Sequence, residues 1–220
     1  VAAKLHICVE LIPRMKNIEN IIFDLGGVII NLDIPATTNA FAGLAKKYGI
    51  DNFNPQPEHQ IFKDFETGAI SSQQFRDELR NFVHAEITDD EIDFAWNAML
   101  LDLPKSRLDL LLQLKEKYKT FLLSNTNEIH YTAFNKILFD SHGEKSLAPF
   151  FHKDYYSHLI GRRKPNADAF QLILDENDLV AEHTLFLDDT PQHLEGANRL
   201  GIQTMLVTAE NTVHNIFKDF

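Results

Sequence analysis

Cysteine occurs once in the 220 residues, at Cys8. That excludes an intramolecular disulfide and a cysteine-rich metal framework, and it agrees with a reducing cytoplasm. No stretch stays apolar over the roughly 18 or more residues that a membrane helix needs. Basic excess is also missing: 21 Lys and Arg stand against 32 Asp and Glu, a formal net charge of −11. The chain therefore has no electrostatic footprint for nucleic acid, and any attraction for a phosphate must be local. Glu10 and Pro13 interrupt the apolar part of VAAKLHICVELIPR, which argues against a signal peptide. Residues 1–14 are expected to be an upstream or non-native extension, with Met15-Lys16-Asn17 as the natural start. Internal repeats, low-complexity tracts and long linkers are missing too. A cytoplasmic enzyme is expected, large enough for one sizeable core with a small insertion.

Four apolar runs are each followed by polar residues. Ile21-Ile22-Phe23 runs into Asp24, ahead of a Gly26-Gly27 turn, and Thr120-Phe121-Leu122-Leu123 runs into Ser124-Asn125-Thr126-Asn127. Asp154-Tyr155-Tyr156-Ser157 precedes Arg162-Arg163-Lys164-Pro165, and Thr184-Leu185-Phe186-Leu187 runs into Asp188-Asp189. Short runs of this kind suit buried parallel strands. In an open α/β sheet the carboxyl ends of the strands are where ligands bind. Gln203 to Val207 reads as the last core strand. Leu108, Leu111, Leu112 and Leu114 form a helix face ahead of the Ser124 strand. Further helices are expected from Pro165 through Leu174 and from Pro191 to Leu200, stopped by Gly201. The alternation predicts a doubly wound parallel sheet with helices on both faces, a Rossmann-like core.

Between about Ile34 and Leu103 the pattern turns helical. Phe41, Leu44 and Tyr48 recur at helical spacing before Gly49, a C-terminal stop. Ser71-Ser72-Gln73-Gln74 and Thr88-Asp89-Asp90-Glu91 match capping boxes. Residues 34–103 therefore form a helical insertion, and residues 15–33 with 104–220 form the core. Phe62, Phe65, Phe75, Phe82, Phe94 and Trp96 are best taken as the apolar core of the insertion. The loop Glu66-Thr67-Gly68, between two helices, is a candidate to face the site.

The ordered set, Asp24 in FDLGGVI, Ser124 in LLSNTN, Lys164 in GRRKP and Asp188-Asp189 in FLDDTPQHLEGANRLGI, resembles the four motifs of the haloacid dehalogenase-like hydrolase superfamily. It resembles most the branch of small bacterial sugar-phosphate phosphatases that includes α-D-glucose-1-phosphate phosphatase. The resemblance spans the chain from about Asn17 onward. It implies that the insertion is a small cap closing over the site.

Residue types support the same chemistry. A carboxylate that attacks phosphorus splits one hard hydrolysis into two easier steps, and Asp24 resembles that nucleophile. Asp24, Asp188 and Asp189 offer hard oxygen ligands suited to Mg²⁺. The resemblance implies that Asp189 binds the metal directly, that Asp188 sits behind it, and that the Gly26 carbonyl completes the set. Ser124 is placed to hold a phosphoryl oxygen, with Asn125 assisting, and Lys164 to pair with both the phosphate and Asp24. Arg162 and Arg163 receive no role. His130, His152, His158, His183 and His193 lack zinc-ligand spacing, so surface or supporting roles are expected. The expected partner is a small phosphorylated metabolite, with no nucleic acid or membrane, and the expected state is a monomer or homodimer.

Gly26 departs from the common superfamily pattern, which has an Asp there to protonate the leaving alkoxide. The glucose-1-phosphate phosphatase branch also carries Gly. Either a less basic leaving group reduces the need for the acid, or a histidine supplies the proton. A 2-haloacid dehalogenase, which expels halide, and a catalytically weak module that binds a phosphorylated ligand are the rival readings. The acidic pair at Asp188-Asp189 disfavours the first, and turnover would exclude the second.

Overall fold

The computed structural model describes residues 17–50 and 59–218. The expectations for residues 1–14, Cys8 and the start at Met15 lie outside the described residues. Five strands form one parallel sheet in the order β3-β2-β1-β4-β5: β1 (Asn20–Phe23), β2 (Lys119–Ser124), β3 (Lys153–Tyr156), β4 (Thr184–Asp188) and β5 (Gln203–Leu206). The expected last strand ends one residue earlier than predicted, although Val207 N still donates to Asp188 O at 3.0 Å.

The run Ile21-Ile22-Phe23 shows why a doubly wound sheet needs continuous apolar strands. Side chains alternate across the pleat. Ile21 and Phe23 join Leu122, Leu185 and Leu187 on one face, while Ile22 joins Phe121, Leu123 and Phe186 on the other. Helices α5 (Lys105–Lys117) and α6 (Glu128–His142) cover the first face, with the short α10 (Val213–Ile216); α8 (Ala167–Glu176) and α9 (Pro191–Asn198) cover the second. On α5, Leu108, Leu111 and Leu114 are buried, but Leu112 is solvent-exposed and does not belong to the predicted inward face. Helix α8 begins at Ala167 rather than Pro165, because a turn from Arg163 O to Asn166 N (3.1 Å) precedes it.

The insertion between β1 and β2 carries α1 (Ile34–Tyr48), α2 (Gln60–Glu66), α3 (Ser72–Val83) and α4 (Asp89–Asn97). Gly49 ends α1 in the left-handed conformation, at φ 68°. Both capping boxes are present: the Ser71 and Thr88 hydroxyls accept from Gln74 N and Glu91 N, and those side chains accept from the cap backbones in return. Phe41, Phe62, Phe65, Phe75, Leu79 and Ile92 form the insertion's own apolar cluster, joined by Ile129 from α6. Phe82 and Phe94 leave it, at 64% and 76% exposure. On α4 the inward positions are Ile92 and Ala95, and at 100° per residue Phe94 points to the far side. Phe82 instead meets His59 edge-on at 5.2 Å.

Candidate active site

The carboxyl ends of β1, β2 and β4 bring Asp24, Ser124 and Asp188 together, and the β3–α8 connection brings Lys164 among them. Asp24 follows β1 and is held to β4 by its backbone N–H, which donates to Leu187 O at 2.8 Å. Lys164 is fully buried, with Nζ 2.6 Å from Asp24 Oδ1 and 2.7 Å from Asp188 Oδ2. An unpaired ammonium at that depth would be strongly unfavourable, so the two carboxylates are what keep it there. Burial works against the charged lysine, but Asp24 and Asp188 outweigh it and raise its pKa.

The carboxylates feel the crowding differently. Burial pushes the Asp24 carboxyl up to about 6 against the pull of Lys164, and Asp188 and Asp189 push the same way. Asp189 is also raised, by burial and by its neighbour Asp188. Asp188 resists its own burial and stays below the usual range, because Lys164 and His193 hold its charge. Three carboxylates against one ammonium leave the cluster two charges too negative.

That deficit and the geometry fit a divalent cation. One oxygen from each of Asp24, Asp188 and Asp189 lies within 4.8 Å of the others. Hard carboxylate oxygens are the donors Mg²⁺ takes. Both Asp188 oxygens are already engaged: Oδ1 accepts from Thr190 N at 2.8 Å, and Oδ2 meets Lys164 and His193 Nδ1 (3.0 Å). Asp189 is held only through Oδ1, by the Thr190 hydroxyl at 3.1 Å. Gly27 lies so close to Asp189 that a Cβ there would overlap its Oδ2, so the second glycine of the turn keeps room for this carboxylate.

Two reciprocal clamps fix the loop after β2. The Asn125 side chain grips the Lys164 backbone, Nδ2 donating to Lys164 O and Oδ1 accepting from Lys164 N, both at 2.9 Å. The Ser157 hydroxyl grips the Thr126 backbone in the same two-way manner, again at 2.9 Å each. Asn125, expected to assist the phosphate, thus spends its acceptor and one amide hydrogen on setting Lys164 against Ser124. Ser124 is buried at the tip of β2 and lines the adjoining cavity with Gly26.

This cavity, of about 260 Å³, separates the strand tips from the insertion. Leu25, Ile30, Leu32, Phe41, Met99 and Leu100 make it largely apolar, and Glu66, Asn127, His130 and Trp96 are among the residues with polar groups that line it, beside threonines of α1 and the loop after β2. Leu32 fills the place of the missing acid: a Cβ on Gly26 would sit 2.8 Å from Leu32 Cδ1. Of the expected loop, Thr67 borders a separate groove and Gly68 lies against the His158 carbonyl, and the residue that reaches the cavity is Glu66, the last of α2. It is anchored by Arg163, for which no role was expected, with Nε at 2.9 Å and Nη2 at 2.8 Å from Glu66 Oε2.

His130 is buried, stacks on Trp96 at 4.9 Å, and bonds Trp96 O through Nε2 at 3.0 Å. Asn127 Nδ2 lies 3.3 Å from Nδ1. With the amide donating there, the proton sits on Nε2 and is spent on Trp96. Burial lowers the His130 pKa to about 4. It is therefore neutral and already committed, not a store of leaving-group protons. His193 bonds Asp188 instead, while His152 and His183 stand immediately before β3 and β4, at the opposite ends of the strands.

Helix α6, which carries His130, was not anticipated. Its signals were present in Asn127, whose side chain accepts from His130 N, and in the left-handed Gly143 at its end. The Arg163–Glu66 pair has no such local signal, since 97 positions separate the partners.

A model of the haloacid dehalogenase-like hydrolase family matches residues 18–201. D-ribitol-5-phosphate phosphatase from Bacteroides thetaiotaomicron is 30% identical over 187 residues, which is 85% of this chain and 90% of the relative. A magnesium complex of a HAD family enzyme from the same organism superposes with a TM-score of 0.83 at 35% identity, over 93% of this chain and all of that one. The wild-type form of that enzyme in complex with magnesium and inorganic phosphate gives 0.79 at 33% identity, over 91% and 99% of the two chains.

Proposed function

This chain belongs to the haloacid dehalogenase-like hydrolase family, and we propose that it is a magnesium-dependent phosphatase of small phosphomonoesters, of the sugar or polyol phosphate class, working through an aspartyl phosphate on Asp24. The observation that carries this reading is the fully buried Lys164 bridging Asp24 and Asp188, with Asp189 beside them at the strand tips. Charge and position match what a phosphoryl group needs. The phosphatase relative and the phosphate- and magnesium-bound neighbour support it.

Asp24 attacks phosphorus, forming the Asp24–phosphorus bond as the bond to the leaving alcohol oxygen breaks. Water then attacks the phosphoryl group and returns the carboxylate. Asp24, Asp189 and the Gly26 carbonyl would hold Mg²⁺ with Asp188 behind, and the bound ion would neutralise charge on the phosphate and on the attacking carboxylate. Lys164 keeps Asp24 oriented and offers a cation to the phosphoryl oxygens; Ser124 donates its hydroxyl to one of them. The helical insertion acts as a cap, burying the alcohol in the cavity it shares with the strand tips. Gly26 cannot donate a proton, and Leu32 keeps its place apolar. An alcohol that leaves without full protonation, such as an anomeric hydroxyl, needs that donor least.

The test is a panel of sugar and polyol phosphates, other phosphomonoesters and 2-haloacids, assayed with Mg²⁺ and with chelator. Metal-dependent phosphate release that vanishes in Asp24→Asn is the expected result. Release that persists in that variant removes the nucleophile. Metal-independent halide release replaces the phosphatase with a dehalogenase, and metal-dependent binding without turnover replaces it with a regulatory module.

A further inference from the structure

We infer that Glu66 makes the cavity a charge filter: the alcohol half of the substrate is neutral or cationic and carries no second phosphate or carboxylate. The inference rests on the phosphatase reading for its substrate and on the cavity for its argument. Among the described residues that line the cavity, Glu66 alone carries a formal charge, because His130 is neutral. Arg163 takes Oε2 with both of its contacts and leaves Oε1 uncommitted. Arg163 itself borders a different groove, on the outer side with Lys63 and Arg162. Glu66 is thus the member of the pair that lines the cavity, and Arg163 the member that lines the other groove. Apolar walls screen charge poorly, so an anion placed beside Glu66 is repelled far more than it would be in water. Hydroxyl groups face the opposite situation, since a carboxylate accepts hydrogen bonds from them.

Size agrees with this class. At the roughly 30 Å³ that a water occupies in the liquid, the cavity of about 260 Å³ holds on the order of ten non-hydrogen atoms. That suits an alcohol of five or six carbons.

Matched pairs separate charge from size. A pentitol 5-phosphate and the corresponding pentonate 5-phosphate differ by one carboxylate, and a hexose phosphate and its 2-amino analogue differ by one ammonium. The wild-type enzyme with Mg²⁺ is expected to favour the pentitol ester over the pentonate by about 10²-fold in kcat/KM, mainly through KM, as like charges at an interface predict. The amino sugar should be accepted at least as well as its neutral parent. Glu66→Gln should cut the pentitol preference to tenfold or less. Arg163→Met, which leaves the carboxylate without its counter-cation, should widen it.

Equal use of both esters by the wild type, or an unchanged ratio in Glu66→Gln and Arg163→Met, overturns the filter. Binding of the same pairs to Asp24→Asn by calorimetry keeps the two ideas separable. If no ester is turned over, the phosphatase reading falls, and the ratio of dissociation constants still decides for or against the filter.

Discussion

At the strand tips the buried charges of Lys164, Asp24 and Asp188 hold one another, whereas the cavity wall opposite them is mostly apolar, with one carboxylate. Lys164 Nζ lies within 2.7 Å of a carboxylate oxygen of both Asp24 and Asp188, and all three residues are buried. Across the cavity, Trp96 and Phe41 form the surface, with Glu66 held beside them by Arg163. The difference separates two tasks. Transferring a phosphoryl group needs fixed, dense charge, since preorganised electrostatics lowers barriers only if the groups do not have to reorganise. Choosing an alcohol needs volume and a few polar atoms. Each half should therefore fail in its own way.

The largest break is Asp24→Asn, which is expected to lower kcat by about 10⁴-fold or more while the fold persists, as loss of a nucleophile does elsewhere. Steady-state phosphate release and near-ultraviolet circular dichroism check the two parts. Lys164→Met should cost about 3–5 kcal/mol of stability, because removing one member of a buried ionic group leaves the rest uncompensated. Urea unfolding measures it, and Mg²⁺ should restore part of the loss by neutralising the same carboxylates.

On the cavity side, His130 should make stability fall with acid. Its pKa of about 4 in the folded chain lies below the ordinary 6.5, so the unfolded chain binds the extra proton between those values. The stabilisation is complete above about pH 6.5, is lost as pH falls toward 4, and amounts to about 3 kcal/mol. Urea midpoints of wild type and His130→Gln across that window should converge by about this amount; parallel curves would remove the assignment.

The smallest expected effect sharpens the boundary between the halves. Gly26→Asp alone must displace Leu32, so the informative variant is Gly26→Asp with Leu32→Ala. General acid help of about 10²-fold is expected for esters with poor leaving groups and little for anomeric phosphates. Equal gains on both would count against the missing acid as the limit.

The two halves were also unequally legible in the sequence. Asp24, Ser124 and Asp188 each stand at the end of an apolar strand, and Lys164 stands in the GRRKP run beyond β3, so contiguous sequence locates them. Capping boxes at Ser71 and Thr88 are local for the same reason. What the sequence concealed depends on distant pairs. Asn125 grips Lys164 across 39 positions, and His130 reaches the Trp96 carbonyl across 34. Phe94 and Leu112 looked like core because hydrophobicity alone does not say which side of a helix meets a neighbour; both are exposed. Helix α6 was not anticipated, although its Asn127 cap and Gly143 stop were in plain view.

The position of β1 at the centre of the sheet has a consequence for synthesis. Its neighbours are β2 and β4, and the side chains of Asn20 and Thr184, which bond across the β1–β4 pair, are 164 positions apart. A nascent chain therefore displays Ile21-Ile22-Phe23 long before either flanking strand leaves the ribosome, while the helices that follow can close on short-range contacts. Chains dominated by distant pairings fold slowly, since loop closure precedes its reward. Asp24 precedes Lys164 by 140 positions, so the charge cluster is complete only once β1, the β3–α8 connection and β4 have all been placed.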